Sequence, residues 1–118
     1  MIYQNKVKAI GSGISEFEGA NFLIIFGDSA PDELKDYCYS VDVTPINGTI
    51  QPGQTLKFDD QEYKITAVGS EVPLTLSGLG HCTIRFDGQT NPELAGTLYV
   101  EAKPMPDIKV GTVIQIDD

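Results

Sequence analysis

Apolar and polar residues alternate along most of the chain, the period of a half-buried β-strand. The pattern predicts strands over Ile2 to Ile10, Asn21 to Phe26, Tyr37 to Val43, Gln54 to Phe58, Glu62 to Val68, His81 to Phe86, Thr97 to Ala102 and Thr112 to Ile116. Turn signals separate them: Asn47-Gly48, Pro52-Gly53 and Asp87-Gly88, where glycine tolerates positive φ and proline presets φ. Two stretches suit short helices. Pro31 to Lys35 follows Ser29 with acids in its first turn, and Ser70 to Leu79 holds one or two turns if Pro73 lies early.

The pattern also repeats. Lys6-Val7-Lys8-Ala9-Ile10-Gly11-Ser12 is echoed by Lys64-Ile65-Thr66-Ala67-Val68-Gly69-Ser70, 58 residues on. Ile50-Gln51-Pro52-Gly53 leading to Leu56 through Asp60 is echoed, at the same offset of 58, by Ile108 to Gly111 leading to Ile114 through Asp118. Two blocks at one offset suggest a duplicated unit, with halves 1–58 and 59–118. Eight short strands in an open sheet would leave exposed edges, and closure into a barrel removes them. The expectation is therefore an all-β single domain over residues 1–118. It is a small barrel of short strands from two similar halves, with one or two short helical segments.

Composition narrows the function classes. The chain has 118 residues, a length suited to one domain. Seventeen acidic against eight basic residues give a net charge of −9, which repels nucleic-acid backbones and anionic lipid, so neither is an expected partner. A basic partner is the electrostatic match. No apolar run approaches the roughly 20 residues of a membrane-spanning helix, and the start lacks the pattern of a secretory signal, so a cytoplasmic location with no direct membrane insertion is expected. Cys38 and Cys82 form no CxxC pair and read as buried, unbonded thiols. With one histidine and two cysteines, no structural zinc site and no other cofactor is expected.

The candidate for chemistry is His81, the one histidine. In Gly80-His81-Cys82-Thr83-Ile84-Arg85-Phe86-Asp87-Gly88, alternation turns Cys82, Ile84 and Phe86 inward and His81, Thr83, Arg85 and Asp87 outward. An outward imidazole titrates near neutral pH and is a competent nucleophile. Gly80 allows close approach of another backbone or a phosphoryl group. Thr83 lies about 6–7 Å along the strand, within reach of a group on the imidazole, and Arg85 about twice as far. The plain alternative is a histidine on a solvated strand face. Asp28, Asp32, Glu33 and Asp36 read as the charged surface of a short helix. No phosphate-binding glycine loop, GxSxG elbow or HExxH motif is present.

Along nearly its whole length the chain resembles the glucitol/sorbitol-specific IIA component of the bacterial sugar phosphotransferase system (PTS). The resemblance rests on Ile2-Tyr3-Gln4, on Ala30-Pro31-Asp32-Glu33-Leu34 with Tyr37-Cys38, on Pro52-Gly53, on Thr66-Ala67-Val68-Gly69-Ser70, on Leu79 to Gly88 and on Pro106-Asp107-Ile108. It implies a cytoplasmic phosphotransferase component, a phosphohistidine carrier. Such a carrier takes a phosphoryl group from the phosphocarrier HPr on histidine. It passes the group to the IIB part of a glucitol/sorbitol permease, whose IIC part moves the sugar alcohol. On this reading His81 is the nucleophile, Thr83 its hydrogen-bond partner and Arg85 the charge stabiliser. One departure stands out. In that family the assigned phosphohistidine follows the Tyr-Cys pair by three residues, and here that place is taken by Val41. The alternative is therefore a non-phosphorylatable relative that acts as a regulatory or binding module. A third reading, direct binding of a sugar alcohol, has five tyrosines and no tryptophan for stacking. The sequence leaves open whether the chain works as a monomer or a homodimer.

Overall fold

The computed structural model describes residues 1–17 and 19–118. Nine strands form one sheet: β1 (Tyr3–Lys6), β2 (Ala9–Ile10), β3 (Phe22–Phe26), β4 (Tyr39–Ser40), β5 (Thr55–Phe58), β6 (Gln61–Val68), β7 (Cys82–Arg85), β8 (Thr97–Val100) and β9 (Val113–Asp117). Their order is β1-β9-β5-β6-β8-β7-β3-β4-β2, and the sheet curls into a barrel. The end strands β1 and β2 are consecutive pieces of one N-terminal arm. Between them the Val7 N–H donates to the Thr112 carbonyl at 2.9 Å and the Lys8 N–H to the Ser40 carbonyl at 2.7 Å. The arm thus leaves β9 and joins β4, so one segment carries both edges, and its pairing covers backbone groups that an open edge would expose. The all-β barrel expected from alternation is what the chain forms.

The single predicted strand over Ile2 to Ile10 is split at this change of partner. β6 makes a similar handover: its first half pairs with β5 and its second with β8, with an irregularity between Ile65 and Ala67. The registers correspond. Tyr3↔Ile116 through Lys6↔Val113 in β1–β9 becomes Gln61↔Phe58 through Lys64↔Thr55 in β6–β5 when every number is shifted by 58 and returned to the ring.

Two short helices were expected and two form: α1 (Asp32–Lys35) and α2 (Val72–Leu79), the second with proline in its first turn. A 3-10 turn over Ile14–Phe17, without a helical period long enough to be read from sequence, lies between β2 and β3. The predicted Tyr37–Val43 strand is only Tyr39–Ser40, for a reason given below.

Alternate strand residues fill the barrel. Leu56, Phe58, Tyr63, Ile65, Ile84, Phe86, Leu98, Val100, Ile114 and Ile116 belong to one buried cluster. Tyr63 and Phe86 meet edge to face with centroids 4.9 Å apart, a geometry aromatic quadrupoles favour. Cys38 and Cys82 are both buried and free, as read from the sequence. Among the described residues no helix is long and apolar enough to cross a membrane.

Candidate functional site

His81 lies between α2 and β7, and local geometry explains its position. Helix α2 ends on Gly80, whose φ of 68° and ψ of 15° place it in the left-handed region where a Cβ is costly. The Gly80 N–H donates to the Leu76 carbonyl at 3.1 Å, and the His81 N–H to the Thr75 carbonyl at 3.1 Å. The chain then enters β7 with the alternation expected: Cys82, Ile84 and Phe86 are buried, and His81, Thr83, Arg85 and Asp87 are half-buried on the outer face.

The imidazole stacks on Phe26, centroids 4.3 Å apart and planes 22° from parallel. Continuing the β3–β7 register, in which Ile25 faces Cys82, sets Phe26 opposite His81. Phe26 in turn pairs with Ser40, and Ser40 with Ala9, so one row runs His81, Phe26, Ser40, Ala9 across the outer face. Among the described residues no side-chain or backbone group hydrogen-bonds a His81 ring nitrogen, and Arg85 Nε, not an imidazole nitrogen, is the side-chain polar atom fully buried without a partner. Burial of the ring against Phe26 and its surroundings lowers the His81 pKa from its ordinary 6.5, because desolvation disfavours the cation. The neutral, nucleophilic form therefore predominates at pH 7.

The other two sequence candidates are placed differently. Thr83 stands on the same face between Ile24 and Thr97. Arg85 lies two residues further on, about 13 Å along the strand from His81 at ordinary strand rise, and its Nε is 3.6 Å from Asp87 Oδ2. The contact is a loose ion pair, too long for a hydrogen bond, with a carboxylate on its own strand face.

Sequence reasoning missed a charged group at the other side of His81. A Cβ built on Gly80 would approach the Gly27 nitrogen at 3.0 Å and the Asp42 carbonyl at 3.2 Å, so the 27–28 and 41–42 segments press against the residue before His81. Asp28 and Asp42 rise from these segments, and Lys8 Nζ lies 3.1 Å from Asp28 Oδ1 and 3.1 Å from Asp42 Oδ1. The Asp42 segment is held by Asn5. Its Nδ2 donates to the Asp42 carbonyl (2.6 Å) and to the Tyr3 hydroxyl (2.7 Å), and its Oδ1 accepts from the Asp42 N–H (3.1 Å). A side-chain amide here replaces a strand partner, which is why β4 ends at Ser40. Asn5 is the polar member of the inward set Tyr3, Asn5, Val7, and that break in the apolar pattern was the available signal.

Val41, where the resemblance puts the family's phosphohistidine, is fully buried in the core. Its N–H donates to the Phe26 carbonyl at 3.0 Å. His81 is thus separated by β3, at Phe26, from the segment whose family position this chain has given to valine. A cavity of about 480 Å3, lined by residues including Phe17, Phe22, Tyr37, Tyr39 and Met105, does not include His81. The histidine lies on an open surface, bordered by the exposed apolar side chains of Val43 and Leu79.

The family profile described as "PTS system glucitol/sorbitol-specific IIA component" matches residues 2–115. The chain belongs to this family. The glucitol/sorbitol-specific EIIA components of Shigella flexneri and Escherichia coli (strain K12) are each 36% identical to it over 118 residues, covering 99% of this chain and 95% of theirs. The crystal structure of a PTS system IIA component from Enterococcus faecalis V583 superposes with a TM-score of 0.84 at 26% identity, covering 98% of this chain and 100% of that one. Family and fold agree on a phosphoryl-carrier role in the PTS for this IIA domain.

Proposed function

We propose that this IIA domain carries the phosphoryl group on His81, receives it from HPr in the cytoplasm and passes it to the IIB part of a glucitol/sorbitol permease. The observation that carries the proposal is the position of the sole histidine. It favours the neutral form, has no ring nitrogen bonded to another described residue, is backed by an aromatic ring, and is separated only by β3 from the segment where the family is expected to keep its phosphohistidine.

The reaction asks little covalent machinery of the protein. It needs in-line positioning, exclusion of water and charge support. A lone pair on a neutral His81 nitrogen forms the new P–N bond as the donor's P–N bond breaks. The bonding pair returns to the donor imidazole, and the proton on the second His81 nitrogen stays in place. Phe26 fixes the plane of the ring, so an open nitrogen presents its lone pair along one direction. Val43 and Leu79 supply an apolar margin that a docking protein covers, which removes water from the transfer. An open surface suits this chemistry because both donor and acceptor are proteins. The net charge of −9 favours approach of a basic docking face. Thr83 is the neighbour on the same face for a phosphoryl oxygen. Arg85 stays paired with Asp87 until a partner displaces it.

The second reading, a non-phosphorylatable module, is favoured by one observation: Val41 is fully buried and packs as core. Incubation with enzyme I, HPr and phosphoenolpyruvate, followed by intact mass, separates the two. The carrier gains one acid-labile phosphoryl group and His81→Ala gains none. An unlabelled wild-type chain, with the donor shown to be phosphorylated, refutes the carrier.

A further inference from the structure

The Lys8–Asp28 and Lys8–Asp42 ion pairs put the Lys8 side chain on the exposed face of the 26–28 and 40–42 segments, opposite the buried Val7, Ile25 and Val41. The arm changes partner here, so alternation does not run on from Ala9 to Lys8. Lys8 reaches this face through the handover of the N-terminal arm: its N–H donates to the Ser40 carbonyl, in the row that contains Phe26 and His81. Its ammonium is paired at the surface with both Asp28 and Asp42; the Asp42 carbonyl and Gly27, next to Asp28, border Gly80. Such a lysine is pre-oriented. A free lysine loses rotamer entropy when it meets an anion, and one already held by two carboxylates has lost part of it beforehand.

We propose that Lys8, held by Asp28 and Asp42, is the positioning cation that faces the phosphoryl group on His81, the role the sequence pattern suggested for Arg85. The inference rests on His81 as acceptor. The same group sets the lability of the carried phosphate. Two carboxylates and one ammonium leave one net negative charge beside a dianionic phosphoryl group. Lys8 attracts the group, while the residual charge keeps it from becoming a stable resting state. A carrier needs both, since it must accept the group and release it. Loss of Lys8 raises the energy of the phosphorylated form, and neutralising Asp28 or Asp42 lowers it. Removing either aspartate also frees Lys8 to turn to the phosphoryl oxygens, so the two effects act in the same direction.

Phosphoramidate phosphorylates imidazole directly, its P–N bond breaking and ammonia leaving, so it loads His81 without any protein donor. The chain has one histidine, so the 31P signal of phosphohistidine belongs to it. In Lys8→Met the pH midpoint of that signal should rise by roughly half a unit, as expected for losing one neighbouring cation on the same face. Lys8→Arg should restore the wild-type midpoint, and Asp28→Asn and Asp42→Asn should lower it. Lys57→Met is the control for net charge, since Lys57 lies on β5, across the ring from β3, where it pairs with Asp117. It should leave the midpoint in place. A Lys8→Met midpoint equal to that of wild type or of Lys57→Met overturns the proposal. Labelling of the wild type from phosphorylated HPr decides the carrier reading separately, because the 31P series does not depend on it.

Discussion

Asn5→Ala tests whether the fold depends on the amide that clamps the Asp42 segment. The wild-type side chain satisfies the Tyr3 hydroxyl, the Asp42 carbonyl and the Asp42 N–H, and also accepts from the Lys6 N–H at 2.8 Å. Tyr3 is almost wholly buried, so its orphaned hydroxyl bears a full desolvation cost of about 1–3 kcal/mol. The Asp42 backbone groups are nearer solvent, and water recovers part of their loss, leaving about 0.5–1 kcal/mol each. The expected cost is about 2–5 kcal/mol, a large share of the ~5–15 kcal/mol that stabilises a domain of this kind. It corresponds to a fall in Tm of roughly 8–20 °C.

A second variant separates hydrogen bonding from packing. Asn5→Asp has the same shape and keeps an acceptor for the Asp42 N–H, but it loses both donations. It also turns a negative oxygen towards the Asp42 carbonyl, while the Tyr3 hydroxyl can rotate to donate to it. It should still be less stable than wild type at pH 7. If the residue only filled space, Asp would be tolerated and Ala would not. Urea unfolding followed by far-UV circular dichroism reads both. An Asn5→Ala cost below about 0.5 kcal/mol, or Asn5→Asp as stable as wild type at pH 7, would refute the clamp.

Three other outcomes follow from the same geometry. Gly80→Ala should cost about 1–3 kcal/mol in urea unfolding, from the left-handed backbone and the approach of the Gly27 nitrogen and the Asp42 carbonyl; a neutral substitution would mean that neither constrains the turn. The His81 imidazole should titrate below 6.5 by NMR. Its depressed folded pKa makes a contribution to stability that is present above 6.5 and lost as pH falls through the folded value, and a midpoint above 6.5 contradicts the desolvated stack on Phe26. Burial pushes the Cys82 thiol from 9.0 up to about 12, so near pH 8 its thiolate is about a thousandfold scarcer than in an exposed thiol. Thiol reagents should leave Cys82 untouched until the chain unfolds, and rapid native labelling would refute its burial.

How much of this was legible in the sequence depends on the range of the interactions involved. The period-two pattern marked the strand regions and oriented His81, Thr83 and Arg85, because alternation depends on nearest neighbours alone. The early proline marked α2 for the same reason. Partner changes were not legible: nothing in Lys6-Val7-Lys8-Ala9 says that the arm leaves β9 at Val7 and joins β4 at Ala9. The Lys8–Asp28–Asp42 group was hidden because its members are 20 and 14 residues apart and meet only through the β2–β4–β3 pairing. Arg85 lies on the outer face as alternation orients it, and its ion pair with Asp87 was equally local, two residues on and on the same face.

The echo at 58 residues extends beyond the strands that carry it. We propose that residues 1–58 and 59–118 are two copies of one unit, related about an approximate two-fold axis through the β3–β7 and β5–β9 ladders. Each of these ladders joins equivalent strands antiparallel, as a two-fold axis requires. The loops support the same reading. The Gly11 N–H donates to the Cys38 carbonyl and the Gly13 N–H to the Asp36 carbonyl. In the second half the Gly69 N–H donates to the Thr97 carbonyl and the Glu71 N–H to the Ala95 carbonyl. A Cβ at Gly11 would collide with the Asp36 and Lys35 carbonyls, and one at Gly69 with the Ala95 and Leu94 carbonyls, so the same close approach requires glycine in both places. The 3-10 turn at Ile14–Phe17 then occupies the place of α2, shortened. His81 follows the longer helix, so on this view the site arose where the second copy kept its helix and the first did not. A chain built from two tandem copies of residues 59–118 tests the equivalence. It should close the same ring and show a cooperative, β-rich unfolding transition. An unfolded or molten tandem chain would mean that the halves share a strand grammar without sharing a structure.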